Sequence, residues 1–100
     1  MIRNIGNTYE NMRVQLDGNH FEQCIFRQCV LEFGASDEVG LVECAFHNCS
    51  WKFVGSAATT IKFMTGLYSG LGPEGQKLIE QTFDNIRRGD SEQISVNYNE

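Results

Sequence analysis

Motifs of the common enzyme and nucleic-acid-binding classes are missing from this 100-residue sequence. Its glycine-rich stretch, residues 66 to 75, contains neither G-x4-G-K-[ST] nor G-x-G-x-x-G, so it does not predict a phosphate-binding loop. The sequence also has no nucleophile elbow, no carboxylate pair in an acid/base arrangement and no basic patch. We therefore expect a chain that is not an enzyme, needs no cofactor and does not bind nucleic acid directly.

A long hydrophobic run is also missing from the N-terminal stretch MIRNIGNTYENMRVQ, where a signal peptide or a membrane span would need one. We expect the protein to lie in the cytoplasm, without membrane contact and with reduced cysteines. A composition of 41% hydrophobic and 21% charged residues is that of a globular protein, and the length fits one domain over residues 1–100.

Basic residues are scarce between Asp17 and Glu43, where Arg27 is the one base among six acids. This stretch accounts for the whole formal net charge of −5. A localised negative field repels nucleic acid and attracts basic protein surfaces, although a solvated face that keeps the protein soluble would have the same composition. The residues that we expect to bind a protein partner are Glu22, Glu32, Asp37, Glu38 and Glu43.

The sequence does contain a repeat. The stretches QCIFRQCVLEF and ECAFHNCSWKF align with Cys24 over Cys44 and Cys29 over Cys49, twenty residues apart. Large apolar residues recur every five positions in one phase, and a smaller residue stands two positions before each of them. Neither a helix nor a long strand has a period of five, so the pattern predicts short strands separated by turns. The large apolar residues are Leu16, Phe21, Phe26, Leu31, Leu41, Phe46 and Trp51.

This pattern, over residues 14–56, resembles that of the pentapeptide-repeat family. In that family a right-handed β-helix places a large apolar residue at the centre of each five and a small one two positions earlier, both inward. The resemblance implies four fives per coil and therefore about two stacked coils of twenty residues, with residues 1–13 as an N-terminal segment. A small curled antiparallel sheet is the alternative. The stretch GASDEVG breaks the beat of five and is expected to form an acidic loop.

The four cysteines allow three interpretations. Four thiolates can bind a zinc ion tetrahedrally, but C-x4-C is a looser spacing than the usual C-x2-C. Each cysteine also precedes a large apolar residue by two positions, which places both on one inward face and favours cysteines packed in the core. A metal site or a redox sensor formed by Cys24, Cys29, Cys44 and Cys49 is the alternative. The two histidines, His20 and His47, are expected to point outward, away from the thiols.

Two helices are predicted after the repeat, over residues 56–89. Ser56 is a suitable N-cap for SAATTIKFMTGLYSG, in which apolar residues follow at helical spacing. Pro73 suits the first position of a second helix that carries the apolar stripe Ile79, Phe83 and Ile86. We expect an α+β fold in which these helices cap the β-helix or curled sheet, because a short solenoid must cover its ends. The tail, residues 90–100, is expected to be a short strand or frayed.

The leading functional hypothesis is a non-enzymatic protein-binding module whose acidic strip contacts a basic partner. The family resemblance adds that some pentapeptide-repeat proteins mimic nucleic acid and occupy the DNA site of a target enzyme. In that register Glu22 and Glu32 point outward. A phage or mobile-element inhibitor of a nucleic-acid-handling complex would fit a small acidic chain. The alternatives are the metal or redox protein and a homo-oligomeric structural unit, such as a homodimer.

Overall fold

In the computed structural model, which describes residues 1–89, nine short β-strands are followed by two α-helices. This arrangement confirms the α+β class predicted from the sequence. The strands are β1 Ile2–Ile5, β2 Thr8–Glu10, β3 Arg13–Gln15, β4 Asn19–Glu22, β5 Ile25–Arg27, β6 Val30–Phe33, β7 Gly40–Val42, β8 Ala45–His47 and β9 Ser50–Phe53; the helices are α1 Gly55–Gly70 and α2 Pro73–Arg87.

The strands form three sheets, each with three parallel strands, in the orders β1-β4-β7, β2-β5-β8 and β3-β6-β9. Each passage along the chain through one strand of every sheet is a coil: coil 1 is β1 to β3, coil 2 is β4 to β6 and coil 3 is β7 to β9. The result is a β-helix-like stack. The alternative of a curled antiparallel sheet is wrong, because all six strand pairs are parallel.

The number of coils differs from the expectation. Three coils are present, not about two, and the first begins at Ile2 in the stretch expected to be an N-terminal segment. Coil 1 and coil 2 are offset by seventeen residues, as in the pair Ile2 and Asn19, whereas coil 2 and coil 3 are offset by twenty, as in His20 and Gly40. The sequence alignment found the second offset but missed the first, because coil 1 has no cysteines.

Each coil has three strands, not the four equal sides that the family resemblance implied. The remaining side is a connection, residues 16–18 after coil 1 and residues 34–39 after coil 2. The predicted acidic loop is this second connection, and its three additional residues explain why the spacing is twenty there.

The beat of five has a local cause in the corners. Three or four strand residues are followed by a residue with a left-handed backbone, at Gln23, Gln28, Glu43 and Asn48. Their φ angles lie between 52° and 55°. This conformation costs an L-residue about 1–2 kcal/mol, and less for asparagine, which stands at position 48. The register hydrogen bonds between coils hold the corners in place: Ala45 N–H donates to the Cys24 carbonyl and Ser50 N–H to the Cys29 carbonyl, each at 3.0 Å.

The core lies inside the coils, on the residues that the beat predicted for coil 2. Phe21, Phe26 and Leu31 are buried at the centres of the three strands. The Phe26 ring stacks between Tyr9 and Phe46, with ring centroids at 5.0 and 5.2 Å, so one aromatic column runs through all three coils. In coil 1 the prediction of the central residue was wrong, because Val14, not Leu16, pairs with Leu31. Leu16 is buried at the following corner instead.

The helices match the predicted range of residues 56–89 to within two residues. Helix α1 begins at Gly55, so Ser56 lies in its first turn and is not its N-cap. Helix α2 has Pro73 at its start, Glu74 in the first turn and Arg87 in the last, as the helix dipole favours.

The chain divides into two compact units, Met1–Thr59 and the residues from Thr60 onward. The predictions that the helices cap the β-helix and that residues 1–100 form one domain stay predictions, and the predicted tail lies outside the described residues. No helix within residues 1–89 is long and apolar enough to cross a membrane.

Candidate functional site on the acidic residues

Glu22, at the end of β4, is one of five acids expected to contact a partner. Its Oε1 atom lies 3.5 Å from Arg3 Nη2 and 3.4 Å from His20 Nε2. The ring of His20 occupies the space over Gly40, where an added Cβ would lie 2.3 Å from Nδ1. The Glu22 side chain is 34% exposed, and a base from coil 1 compensates its charge.

Glu32, on β6, is compensated in the same way. Its Oε2 atom lies 3.2 Å from Arg13 Nε, and its side chain is 14% exposed, against 69% for Arg13. Both arginines stand on coil 1, one coil below the acids that they pair with. Sequence reasoning missed these pairs because it counted Arg3 and Arg13 outside the acidic stretch, whereas the seventeen-residue offset brings them against it.

The other three acids belong to what we call the acidic segment, residues 37–43, with the sequence DEVGLVE. Asp37, Glu38 and Glu43 are all exposed. No salt bridge within the described part of the chain involves any of them. Asp37 and Glu38 precede β7 and Glu43 follows it, so the carboxylates stand at both ends of one strand, about 10 Å long at 3.3 Å per residue. Among the five acids, these three therefore carry the charge that no ion pair of residues 1–89 compensates.

Strand β7 adds two further properties to the acidic segment. It is at the edge of its sheet, next to β4, and edge strands can pair with an added strand. Its apolar residues Leu41 and Val42 are exposed. The segment thus offers carboxylates, apolar side chains and backbone groups within one short stretch.

Asp17 is an acid that the sequence interpretation left without a role. Its carboxylate accepts hydrogen bonds from Gly34 N–H, Ser36 N–H and the Ser36 hydroxyl, at 2.9, 2.8 and 2.6 Å. The Ser36 hydroxyl bond first, and the backbone bonds after it, lower the pKa of Asp17 because they favour its charged form. Asp17 therefore fixes the connection of residues 34–39 from the coil below and positions the start of the acidic segment. Only the offset between coils, which the sequence pattern did not show, could have indicated this pairing.

The cysteines occupy two corners of the coils, Cys24 with Cys44 and Cys29 with Cys49. Each thiol donates to the carbonyl of a strand centre in the coil before it: Cys24 to Asn4 at 3.3 Å, and Cys29, Cys44 and Cys49 to Tyr9, Phe21 and Phe26 at 3.4 Å. All four are free thiols, and Cys24 and Cys29 are buried in the core. Within residues 1–89, no group of three or more His, Cys, Asp or Glu side chains has an arrangement that could hold a metal ion.

No protein family model, curated protein or solved structure matches this chain. The structure shows a short β-helix-like stack of parallel strands followed by two helices.

Proposed function

We propose that this chain is a non-enzymatic protein-binding module that contacts a partner with a basic surface through the acidic segment. The observation that carries the proposal is the division of the acids into two groups. Glu22 and Glu32 are paired with arginines, whereas Asp37, Glu38 and Glu43 are exposed without an ion pair in the described part of the chain. Exposed uncompensated charge steers association, and paired charge contributes little to it.

The partner class that we propose is a protein that handles nucleic acid, with the acidic segment occupying its nucleic-acid site. The Asp17 hydrogen bonds hold the backbone at Ser36, next to Asp37, and an ordered backbone lowers the entropic cost of association. We further propose that the chain is a short, irregular member of the pentapeptide-repeat family. The recurring five-residue step and the parallel coils support this.

The test compares two double variants with the same change in net charge. Asp37→Asn with Glu38→Gln removes two uncompensated carboxylates, and Glu22→Gln with Glu32→Gln removes two paired ones. Immobilised proteins capture partners from a lysate of the source cells, and bound material is eluted with a salt gradient and then with duplex DNA. We expect the first variant to lose capture at least tenfold and the second to retain most of it. Captured protein should be released by duplex DNA, which this chain itself should not bind.

Two results would contradict the proposal. Equal capture by both variants and the wild type would show that the acidic segment only keeps the protein soluble. Equal loss in both variants would show that overall charge matters and the acidic segment does not. Circular dichroism of each variant establishes whether folding is retained.

A further inference from the structure

The outer edge of β7 differs from the other open edges of the stack. Within residues 1–89, three strands of coil 1 and three of coil 3 lie at the outside of their sheets. Natural edge strands usually carry charged side chains or proline, because an edge without them pairs readily with another strand. Strand β7 has no such residue. The other five outer strands each contain a basic or acidic side chain: Arg3 in β1, Glu10 in β2, Arg13 in β3, His47 in β8 and Lys52 in β9.

The backbone of β7 also has hydrogen-bonding groups that are directed away from the stack. The Val42 carbonyl faces coil 2, where it accepts a hydrogen bond from Gln23 N–H at 2.9 Å. Adjacent residues of a strand in a parallel sheet direct their backbone groups to opposite sides. The N–H and carbonyl groups of Leu41 therefore face the side on which no strand of residues 1–89 pairs with β7.

The charges beside this edge determine which strand it can accept. Glu38 stands two residues before β7 and Glu43 directly follows it, so the edge has a carboxylate near each end. A second copy of β7 would place carboxylates against carboxylates in a parallel and in an antiparallel pair alike, and like charges on paired strands are destabilising. A strand with a basic residue near each end would instead meet opposite charges.

The apolar side chains of β7 determine what should lie between those basic residues. Leu41 is 38% exposed and Val42 is 42% exposed. Leu41 pairs in register with the buried Phe21, so it continues the inward column of this sheet and ends it at the open edge. An apolar residue on an added strand would cover Leu41 and extend the core by one layer, which is favourable because it removes apolar surface from water.

We propose that the partner supplies an extended segment that pairs with β7 as the fourth strand of the sheet β1-β4-β7. The segment has a basic residue near each end and apolar residues between them. In strand addition of this kind, main-chain hydrogen bonds provide affinity and alternate side chains provide specificity. The segment binds at the acidic segment, so this inference rests on the proposed function and specifies the mode of binding.

The test uses a fluorescent peptide, K-T-V-V-T-K with blocked termini, titrated with the full chain and followed by fluorescence anisotropy. Because the peptide sequence is symmetric, either orientation can place a valine beside Leu41 and a lysine beside each of Glu38 and Glu43. Two derivatives carry N-methyl groups on the odd-numbered or on the even-numbered peptide residues, so each lacks the N–H groups of one side of the strand. Only one side faces β7, and we therefore expect one derivative to bind at least tenfold more weakly than the other.

The methylated peptides leave the protein unchanged, so the comparison does not depend on the folding of a variant. Asp37→Asn with Glu38→Gln should weaken binding of the unmethylated peptide, whereas the matched control, Glu22→Gln with Glu32→Gln, should bind it like the wild type. Equal binding of the two methylated derivatives would show a contact by charge alone and overturn strand addition, and so would an unmethylated peptide that does not bind. Either result is distinguishable from failure of the proposed function, which is measured separately by the capture of partners with the same charge variants.

Discussion

At the scale of single residues, Phe26 is the side chain on which the coils depend most. It is 0% exposed and stacks on one aromatic ring from the coil below and one from the coil above. The sequence predicted this position because in coil 2 the large apolar residues at intervals of five point inward; in coil 3 the same pattern was wrong for Leu41 and Trp51, which are exposed.

Replacing Phe26 by Ala should lower the free energy of unfolding by about 3–5 kcal/mol, the usual range for a buried aromatic side chain. Phe46→Ala should cost less, because Phe46 belongs to coil 3 and is only partly buried. Urea unfolding measures both. A larger loss for Phe46, or wild-type stability for either variant, would show that the column is not the centre of the core.

Asp17 provides a residue-scale prediction for pH. The hydrogen bonds from Ser36 and Gly34 lower the pKa of its carboxyl in the folded state, below the ordinary value of about 3.9 that applies after unfolding. Its stabilising contribution is therefore complete above the unfolded value and is lost as the pH falls through the folded value. Asp17→Asn should reduce the loss of melting temperature that the wild type shows as the pH falls from neutral through the range in which the Asp17 carboxyl becomes protonated. If the melting temperatures of the two proteins fall equally with pH, this role of Asp17 is contradicted.

At the scale of elements, the helix connection depends on Gly75. A Cβ atom added there would lie 1.9 Å from the Leu67 carbonyl oxygen, which is backbone and cannot rotate away. The sequence predicted both helices from their caps, Pro73 and the apolar spacing. It could not predict this close approach, because a glycine in the first turn of a helix has the same sequence signature whether it is in contact or exposed.

Gly75→Ala should destabilise the packing of α2 against α1 by about 1–3 kcal/mol, the usual cost of overpacking. Gly66→Ala is the matched control in α1, where an added Cβ has no atom within 4 Å. It should stabilise its helix by about 0.5–1 kcal/mol, because alanine loses less conformational entropy than glycine. Amide exchange in residues 60–87 measures both changes. Equal effects of the same sign would contradict the close approach at Gly75.

At the scale of the whole molecule, the sequence revealed the stacking of coil 2 on coil 3 but not that of coil 1 on coil 2. Identical residues at a fixed spacing, such as Cys24 and Cys44, make a stack visible in a sequence. Coil 1 has Asn4 and Tyr9 where coil 2 has Phe21 and Phe26, and its connection is three residues shorter, so neither residue type nor spacing indicated it. The arginine partners of Glu22 and Glu32 were missed for the same reason. The sequence thus identified the acids of the candidate site, but it could not show which of them form ion pairs with arginines.

The unequal connections also show that the number of residues in a coil can change while its strands stay aligned with those of the next coil. Three residues were accommodated at one corner while Phe21 still stands under Leu41 and Phe26 under Phe46. Residues inserted in the connection 34–39 should therefore leave the stacked strands unchanged. This corner is where related sequences can differ in length, and where a foreign peptide could be displayed on a rigid base.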